Sequence, residues 1–360
     1  MKARAIHQLL AGFSNNDAIS NEALILRSIF RKWGFRSEIY SEPSRILPQL
    51  FREARDVASC RADCNRDDIA ILHLSIGSDV NDIFAELPCR KVILYHNITP
   101  SHYFELVNKP VASLLARGRR QLEFLKHTAE ICLADSKYNA SEMENVGYKD
   151  VKVLPLIIPM ERRRIPPDRS IVKKFRDGLT NILFVGRCAP NKRIEDLLTC
   201  FYYFQKYVEP DSRLIYVGSF AGTERYYYLL IAQARAMELQ QRVNFMGCVP
   251  DAELNSYYSC ADVFLSMSEH EGFCAPLLEA MSYNIPVMAY AAGAVPETMD
   301  GSGILFEEKQ FELIAEMIGE VVHNLPLRRS ILNRQTERLL KYQKQEPETL
   351  LKSYLAPLLG

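Results

Sequence analysis

Two carboxylates, Glu271 and Glu279, stand eight residues apart inside the segment SMSEHEGFCAPLLEAMSYNIPVMAYAAGAVPETMDGSG, Ser266 to Gly303. A strand-like run, Ala261 to Ser266, precedes them; a short helix, Pro276 to Tyr283, and a second strand, Ile285 to Tyr290, follow. This order puts Glu271 on a loop at the carboxyl end of a strand and Glu279 in the first turns of the next helix. In an open α/β sheet that crevice is where ligands bind, and a helix N-terminus beside it favours an anion. A carboxylate nearby holds hydroxyls through two acceptor oxygens. The chemistry that fits is a ligand carrying both phosphate and polyol.

A second cluster, FVGRCAPNKRIEDLL from Phe184 to Leu198, sets Arg187 and Lys192 five apart after a strand that ends at Val185. Gly186 permits a sharp turn at the end of that strand, before the loop that carries both. A guanidinium fork and an ammonium can stabilise charge on a departing diphosphate without a metal. No Asp-x-Asp occurs in the chain, so the simplest metal-diphosphate hook is missing and no metal ligand is assigned.

These motifs resemble the donor site of retaining glycosyltransferases of the GT-B fold, most closely the large fourth family, which includes polysaccharide and lipid-glycan hexosyltransferases. The resemblance rests on Glu-x7-Glu, the EGF…PLLEAM core, the PV…AGAVPE tail and Gly-Arg-x4-Lys. It implies that Arg187 and Lys192 bind the diphosphate, Glu271 the transferred sugar and Glu279 the ribose diol. Gly186, Gly218, Cys248, Val249, Gly272, Phe273, Cys274 and Ala275 would complete the donor pocket, with no cofactor beyond the UDP-, GDP- or dTDP-linked sugar itself. Cys274 stands where many relatives carry glycine. Backbone groups near Cys248 and Val249 would cover the nucleobase, so side chains there do not name the base.

On the other side, the loop Ala11 to Ser20 follows the first strand and resembles the family's glycine loop, with Gly12 alone in place of a double glycine. Gly12, Asn16, Asp17 and Asn97 are the acceptor-side or phosphate-loop candidates; a plain β-to-α connection capped by Ser20 is the alternative. His96 ends the strand Lys91 to Tyr95 and resembles a family histidine near the transferred sugar, which makes it a catalytic candidate beside Arg187, Lys192 and Glu271. Ser136, at the next strand end, reads as a helix cap.

The elements that must position these residues alternate. Strand runs at Ala3 to Leu9, Arg36 to Tyr40, Ile69 to Leu74, Lys91 to His96, Glu130 to Ala134 and Val151 to Leu154 are separated by helical stretches such as Asn21 to Trp33 and Val111 to His127. The pattern restarts with Asn181 to Val185, Arg213 to Val217 and Arg242 to Met246 after a segment rich in Pro and Arg. Such alternation specifies parallel sheets. The expected fold is α/β, GT-B: two doubly wound, Rossmann-like domains facing a cleft. Their expected bounds are 1–160 and 161–345, with a last helix, about 346–360, returning to the first domain.

Composition sets the limits. The 360 residues suffice for two domains, and 48% hydrophobic with 24% charged residues is an ordinary globular balance. Lysine plus arginine, 44, equals aspartate plus glutamate, 44, which gives no reason to expect nucleic acid. Nine cysteines with no Cys-x-x-Cys pair suit a reduced, cytoplasmic setting. The start, MKARAIHQLLAGF, carries too short an apolar run for a secretory leader, and no segment approaches about 18 uninterrupted apolar residues. Basic clusters at Arg31-Lys32, at Arg117, Arg119 and Arg120, and at Arg162 to Arg164 are either solvated surface or a peripheral contact with an anionic inner membrane face.

The leading expectation is a metal-independent hexosyltransferase acting on a glycan or lipid-linked acceptor. The alternatives are a transferase with a soluble small-molecule acceptor and a non-catalytic GT-B scaffold, which the loss of Glu271, Arg187 or Lys192 would mark. An epimerase would lack the usual Glu-x7-Glu, and a phosphorylase would need a much longer chain.

Overall fold

The computed structural model describes residues 5–14, 17–158 and 164–359. The chain divides into two compact units, one of residues 1–102, 109–159 and 345–360, the other of residues 103–108 and 160–344.

The first unit is built on seven parallel strands: β1 Ile6–Leu10, β2 Ile39–Ser41, β3 Arg55–Asp56, β4 Ile69–Leu74, β5 Arg90–Tyr95, β6 Ile131–Ala134 and β7 Lys152–Val153. Their order is β3-β2-β1-β4-β5-β6-β7. Helices α1 Ala18–Lys32, α2 Cys60–Asp63, α3 Asp79–Glu86, α4 Lys109–Phe124 and α5 Lys137–Asn145 make the crossovers. The central strands β1 and β4 are buried along their whole length, as in a sheet covered on both faces, with His7, Gln8 and His73 set among their apolar residues.

The second unit repeats the plan with six parallel strands: β8 Thr180–Val185, β9 Ser212–Val217, β10 Val243–Gly247, β11 Val263–Ser266, β12 Val287–Tyr290 and β13 Ile304–Phe306, ordered β10-β9-β8-β11-β12-β13. Its helices are α6 Arg169–Phe175, α7 Ile194–Tyr203, α8 Glu224–Ala236, α9 Asp251–Cys260, α10 Ala275–Ser282, α11 Val295–Met299, α12 Phe311–His323 and α13 Leu325–Gln343. The direction of strand addition reverses between β8 and β11, which pair directly. That is the topological switch point where an open doubly wound sheet binds its ligand. The loops after β8 and β11 carry the Arg187–Lys192 and Glu271 motifs.

The final helix, α14 Pro347–Leu359, buries Leu351, Leu355 and Leu358 in the first unit's core with Leu26, Phe30 and Leu154. Conversely, Val107 packs on the second unit's core, and Asn108 donates to the Gly222 carbonyl at 2.7 Å.

Several local expectations need correction. Helix α1 begins at Ala18, and its cap is Asp17, which accepts from the Ser20 amide at 2.9 Å and the Ser20 hydroxyl at 2.7 Å. Ser20 is a first-turn residue, because the Asp17 carboxylate three positions earlier takes its amide as the cap. Strands β3 and β13 carried no apolar signature long enough to mark them; β3 is two exposed residues recruited by the edge of β2.

Candidate active site

At the switch point the strand ends crowd together. The Gly186 amide donates to the Val217 carbonyl and the Gly218 amide to the Gly247 carbonyl, both at 2.9 Å. A Cβ on Gly218 would collide with the Gly186 carbonyl, so only glycine fits. The Tyr216 hydroxyl donates to that same carbonyl at 2.8 Å and fixes the turn from which Arg187 leaves. Arg187 itself is exposed, its guanidinium near the Ala221 carbonyl at 3.4 Å.

Lys192 ends a short 3-10 turn, Pro190–Lys192, closed by Arg193 in the left-handed region at φ 52°. Three successive residues there meet three successive residues after β11. The Asn191 carbonyl accepts from the Glu269 amide at 2.9 Å, and the Asn191 side chain donates to the His270 carbonyl at 3.0 Å. The Arg193 guanidinium lies 3.2 Å from the Glu269 carboxylate. Between these clamps the Lys192 ammonium donates to both oxygens of Glu271 at 2.6 Å. Glu271 is buried, with 7% of its side chain exposed against 20% for Lys192. Burial works against the charge on Lys192, and the Glu271 carboxylate outweighs it, so the ammonium's pKa is raised. Lysine has three donors, one more than the two Glu271 oxygens take.

The AGAVPE tail holds Glu271 from the other side. The Ala294 amide donates to the Glu271 carbonyl at 2.9 Å, and Gly293, at φ 57°, packs so closely that a Cβ would collide with the Glu271 backbone. Phe273 is fixed by the Thr298 hydroxyl donating to its carbonyl. Cys274 caps α10 at φ 68° and ψ 58°. That left-handed position is natural to glycine and strained for other residues. Burial, then the Glu271 charge, pushes the Cys274 thiol far above its ordinary range, so it is no thiolate nucleophile. Gly272 and Ala275 are half-buried beside it.

Glu279 lies one turn into α10, half-buried, and accepts from the Tyr258 hydroxyl at 2.8 Å. Tyr258 stacks on Tyr283 with ring centroids 5.0 Å apart. Gly247 turns at φ 72°, followed by exposed Cys248 and buried Val249.

In the first unit His96 follows β5 and is buried, 2% of its side chain exposed. Its Nε2 lies 2.9 Å from His73 Nδ1 and 3.6 Å from Glu22, and its Nδ1 lies 3.3 Å from Asp135. Both ring nitrogens are engaged by protein groups, so a direct hydrogen bond from the ring to a sugar hydroxyl is not what this geometry offers. Asn97, at φ 78°, points inward and donates to Asn139 at 2.7 Å and to Glu142 at 2.8 Å. Asp17 is committed to capping, Gly12 is half-buried, and Asn16 lies outside the described residues. Ser136 caps α5, accepting from the Asn139 amide at 3.1 Å.

Sequence reasoning passed over Asn191, Tyr258, His73 and Glu22. The last two left a trace: His73 interrupts the apolar run of β4, and Glu22 shares the buried face of α1 with Leu26, Ile29 and Phe30 at i+4, i+7 and i+8. The basic clusters are largely spent on neighbours. Arg117 pairs with Asp79 at 2.5 Å and Asp82 at 2.6 Å, Arg119 with Glu142 at 3.0 Å, Arg31 with Glu38 at 3.5 Å, and Lys32 with Glu348 at 3.1 Å. Arg164 is exposed, and Arg162 and Arg163 lie outside the described residues. No helix among the described residues is long and apolar enough to cross a membrane.

Two Rossmann-like parallel sheets in succession are the architecture of the GT-B fold. Residues 168–338, just under half of the chain, match the family described as "Glycosyl transferases group 1", and this match supports a GT-B transferase of the fourth-family kind. The chain is 30% identical over 184 residues to a GDP-mannose-dependent alpha-mannosyltransferase of Mycobacterium tuberculosis, covering 48% of this chain and 44% of that one. It is 27% identical over 195 residues to an alpha-monoglucosyldiacylglycerol synthase of Acholeplasma laidlawii, covering 54% and 44%. The alignments thus span less than half the length of these curated relatives. Among solved structures, Anabaena HepE in complex with UDP-glucose superposes with a TM-score of 0.74 at 16% identity, over 98% of this chain and 99% of that one. Sucrose-phosphate synthase of Thermosynechococcus elongatus does so at 0.77 and 16%, over 99% of each.

Proposed function

We propose that the protein is a retaining hexosyltransferase that moves a hexose from a nucleoside-diphosphate sugar to a glycan or lipid-linked glycan, in polysaccharide or glycolipid biosynthesis. The observation that carries this reading is the Lys192–Glu271 pair, held at 2.6 Å between the loops after β8 and β11. In the proposed reaction the diphosphate takes up the spare donor of Lys192 and the exposed guanidinium of Arg187. These cations offset the charge that grows on the leaving oxygen. Glu271, already oriented by Lys192 and the Gly293 turn, accepts from sugar hydroxyls, and Glu279, braced by Tyr258, accepts from the ribose diol. Gly218, Gly272, Phe273, Cys274 and Ala275 shape the pocket, with Cys248 and Val249 toward the base. The acceptor hydroxyl attacks the face that the diphosphate leaves and gives its proton to the departing diphosphate oxygen, which retains the configuration. His96 contributes a fixed charge to the acceptor side.

Two fixed cations support metal independence, since they supply the electrostatics that a divalent ion would otherwise bring. The names of the relatives, a mannosyltransferase and a glucosyl-lipid synthase, support a hexose donor and a lipid-borne or glycan acceptor. A cytoplasmic protein, peripheral at the inner membrane face, is the setting this implies. The ion pairs of Arg117, Arg119, Arg31 and Lys32 favour the soluble-acceptor variant of the reading, because paired charges attract anionic lipid weakly. Salt-sensitive binding to anionic but not neutral vesicles restores the membrane; no binding removes it.

The test is a screen of the purified protein for release of nucleoside diphosphate from UDP-, GDP- and dTDP-hexoses with excess EDTA. Release from one class, undiminished by chelation, is expected. Release from none, or full dependence on added magnesium or manganese, overturns the reading.

A further inference from the structure

A cluster of titratable groups lies buried in the first unit, and its hydrogen bonds have a determinate direction. The Gln8 amide nitrogen donates to the Ala23 carbonyl at 2.9 Å, which turns its oxygen toward His73 Nε2 at 3.0 Å. A carbonyl oxygen only accepts. His73 therefore carries its proton on Nε2 and presents a bare Nδ1. That nitrogen faces His96 Nε2 at 2.9 Å, so His96 is the donor of this bond. At its other nitrogen His96 meets the Asp135 carboxylate at 3.3 Å, while Asn139, itself oriented by Asn97, donates to the second Asp135 oxygen. Donation from both nitrogens makes the ring an imidazolium.

The groups around it agree. Glu22 on α1 aims an oxygen with no hydrogen-bond partner at His96 Nε2 from 3.6 Å, and its side chain is fully buried. Asp17, at the start of α1, adds a more distant negative charge. Burial works against a charged His96, and Asp135 and Glu22 outweigh it, raising its pKa. Burial, reinforced by the His96 charge, holds His73 well below its ordinary value. Glu22, His73 and His96 also offer three ligand atoms within 4.8 Å of one another. Two nitrogens on one tetrahedral ion at 2.0–2.1 Å, however, stand about 3.3 Å apart. The observed 2.9 Å is the length of a hydrogen bond. The site between the rings suits a proton.

We propose that His73, oriented by Gln8, is a positioning residue that fixes His96 as a buried imidazolium paired with the Asp135 carboxylate at the carboxyl end of β5. Its use in catalysis rests on the reading of His96 above; its existence does not.

The experiment is a long-range proton–nitrogen NMR correlation on the full chain labelled with 15N-histidine, from pH 5 to 9. Expected are a neutral His73 protonated only on Nε2 throughout, and a His96 protonated on both nitrogens at pH 7. In His73→Phe the His96 titration should fall by one pH unit or more, a tenfold loss of proton affinity, and the acid limb of the donor-hydrolysis rate should move with it. A His73 protonated on Nδ1, a neutral His96 at pH 7, a stoichiometric metal in the purified protein, or an unmoved His96 in the variant overturns the proposal. If His73→Phe does not fold, the wild-type spectrum decides alone. Failure of donor hydrolysis with the expected spectrum sinks only the functional reading; the reverse sinks only this one.

Discussion

Replacing Lys192 by methionine separates the structural from the chemical role of the ammonium. At 2.6 Å and an effective dielectric of about 20, the attraction between Lys192 and Glu271 is about 6 kcal/mol. Desolvating two charges costs several kcal/mol, so the intact pair adds little net stability. Removing one partner is different, since it leaves Glu271 buried with its charge uncompensated, at a cost of about 3–5 kcal/mol. For a unit of this size the loss corresponds to a melting temperature lower by roughly 6–20 °C. The raised pKa of Lys192 means that its stabilising charge is fully present below pH 10.5 and is lost only above that, so the penalty persists across pH 6 to 9. Turnover should fall by about 10²–10³ through lost stabilisation of the leaving diphosphate. The double variant Lys192→Met/Glu271→Gln removes both charges and should recover most of the stability and none of the turnover. Urea unfolding of the two singles and the double at pH 7, with initial rates of nucleoside diphosphate release, makes the comparison. Equal destabilisation of single and double would show that the pair is not coupled. Near-normal turnover in Lys192→Met would remove Lys192 from the diphosphate site.

Three further outcomes follow from the same geometry. Gly293→Ala combines a left-handed backbone with a collision at Glu271 and should cost about 2 kcal/mol or more, with turnover falling alongside; a wild-type melting curve would refute it. Tyr258→Phe should weaken binding of free nucleoside diphosphate a few-fold by calorimetry, less than Glu279→Gln does, because it loosens the carboxylate without removing it; equal or larger loss would contradict that order. Glu22, pushed up by burial to about 7 from 4.5, binds its proton more tightly folded than unfolded. Its contribution is therefore complete below about pH 4.5 and lost as pH rises to 7, up to about 3 kcal/mol. Relative to Glu22→Gln, the wild type should lose stability over that window, and parallel pH profiles would count against a buried Glu22 proton.

What the sequence determined by itself is the local grammar. Buried apolar runs such as IAILHL and NILFV cannot remain in water and have only a parallel sheet to enter, and the alternation with helices leaves a doubly wound plan. Motifs at strand ends, Gly-Arg-x4-Lys and Glu-x7-Glu, are legible because ligand chemistry needs those side chains at the tips of strands. Short edge pieces such as Arg55–Asp56 were illegible, since their pairing is imposed by a neighbour and not by their own residues. Only the tertiary structure decided which distant groups meet. Lys192 and Glu271, 79 residues apart, face each other because the reversal of strand order brings β8 and β11 side by side. The same placement turns Gly293 from a loop residue into the single fit against Glu271, and Tyr258 into a brace for Glu279. His73 and Glu22 acquire meaning only where β1, β4, β5 and α1 enclose His96. A pattern along the chain records which side chains can do chemistry; the energetics of burial and charge that tune them depend on neighbours that only folding supplies.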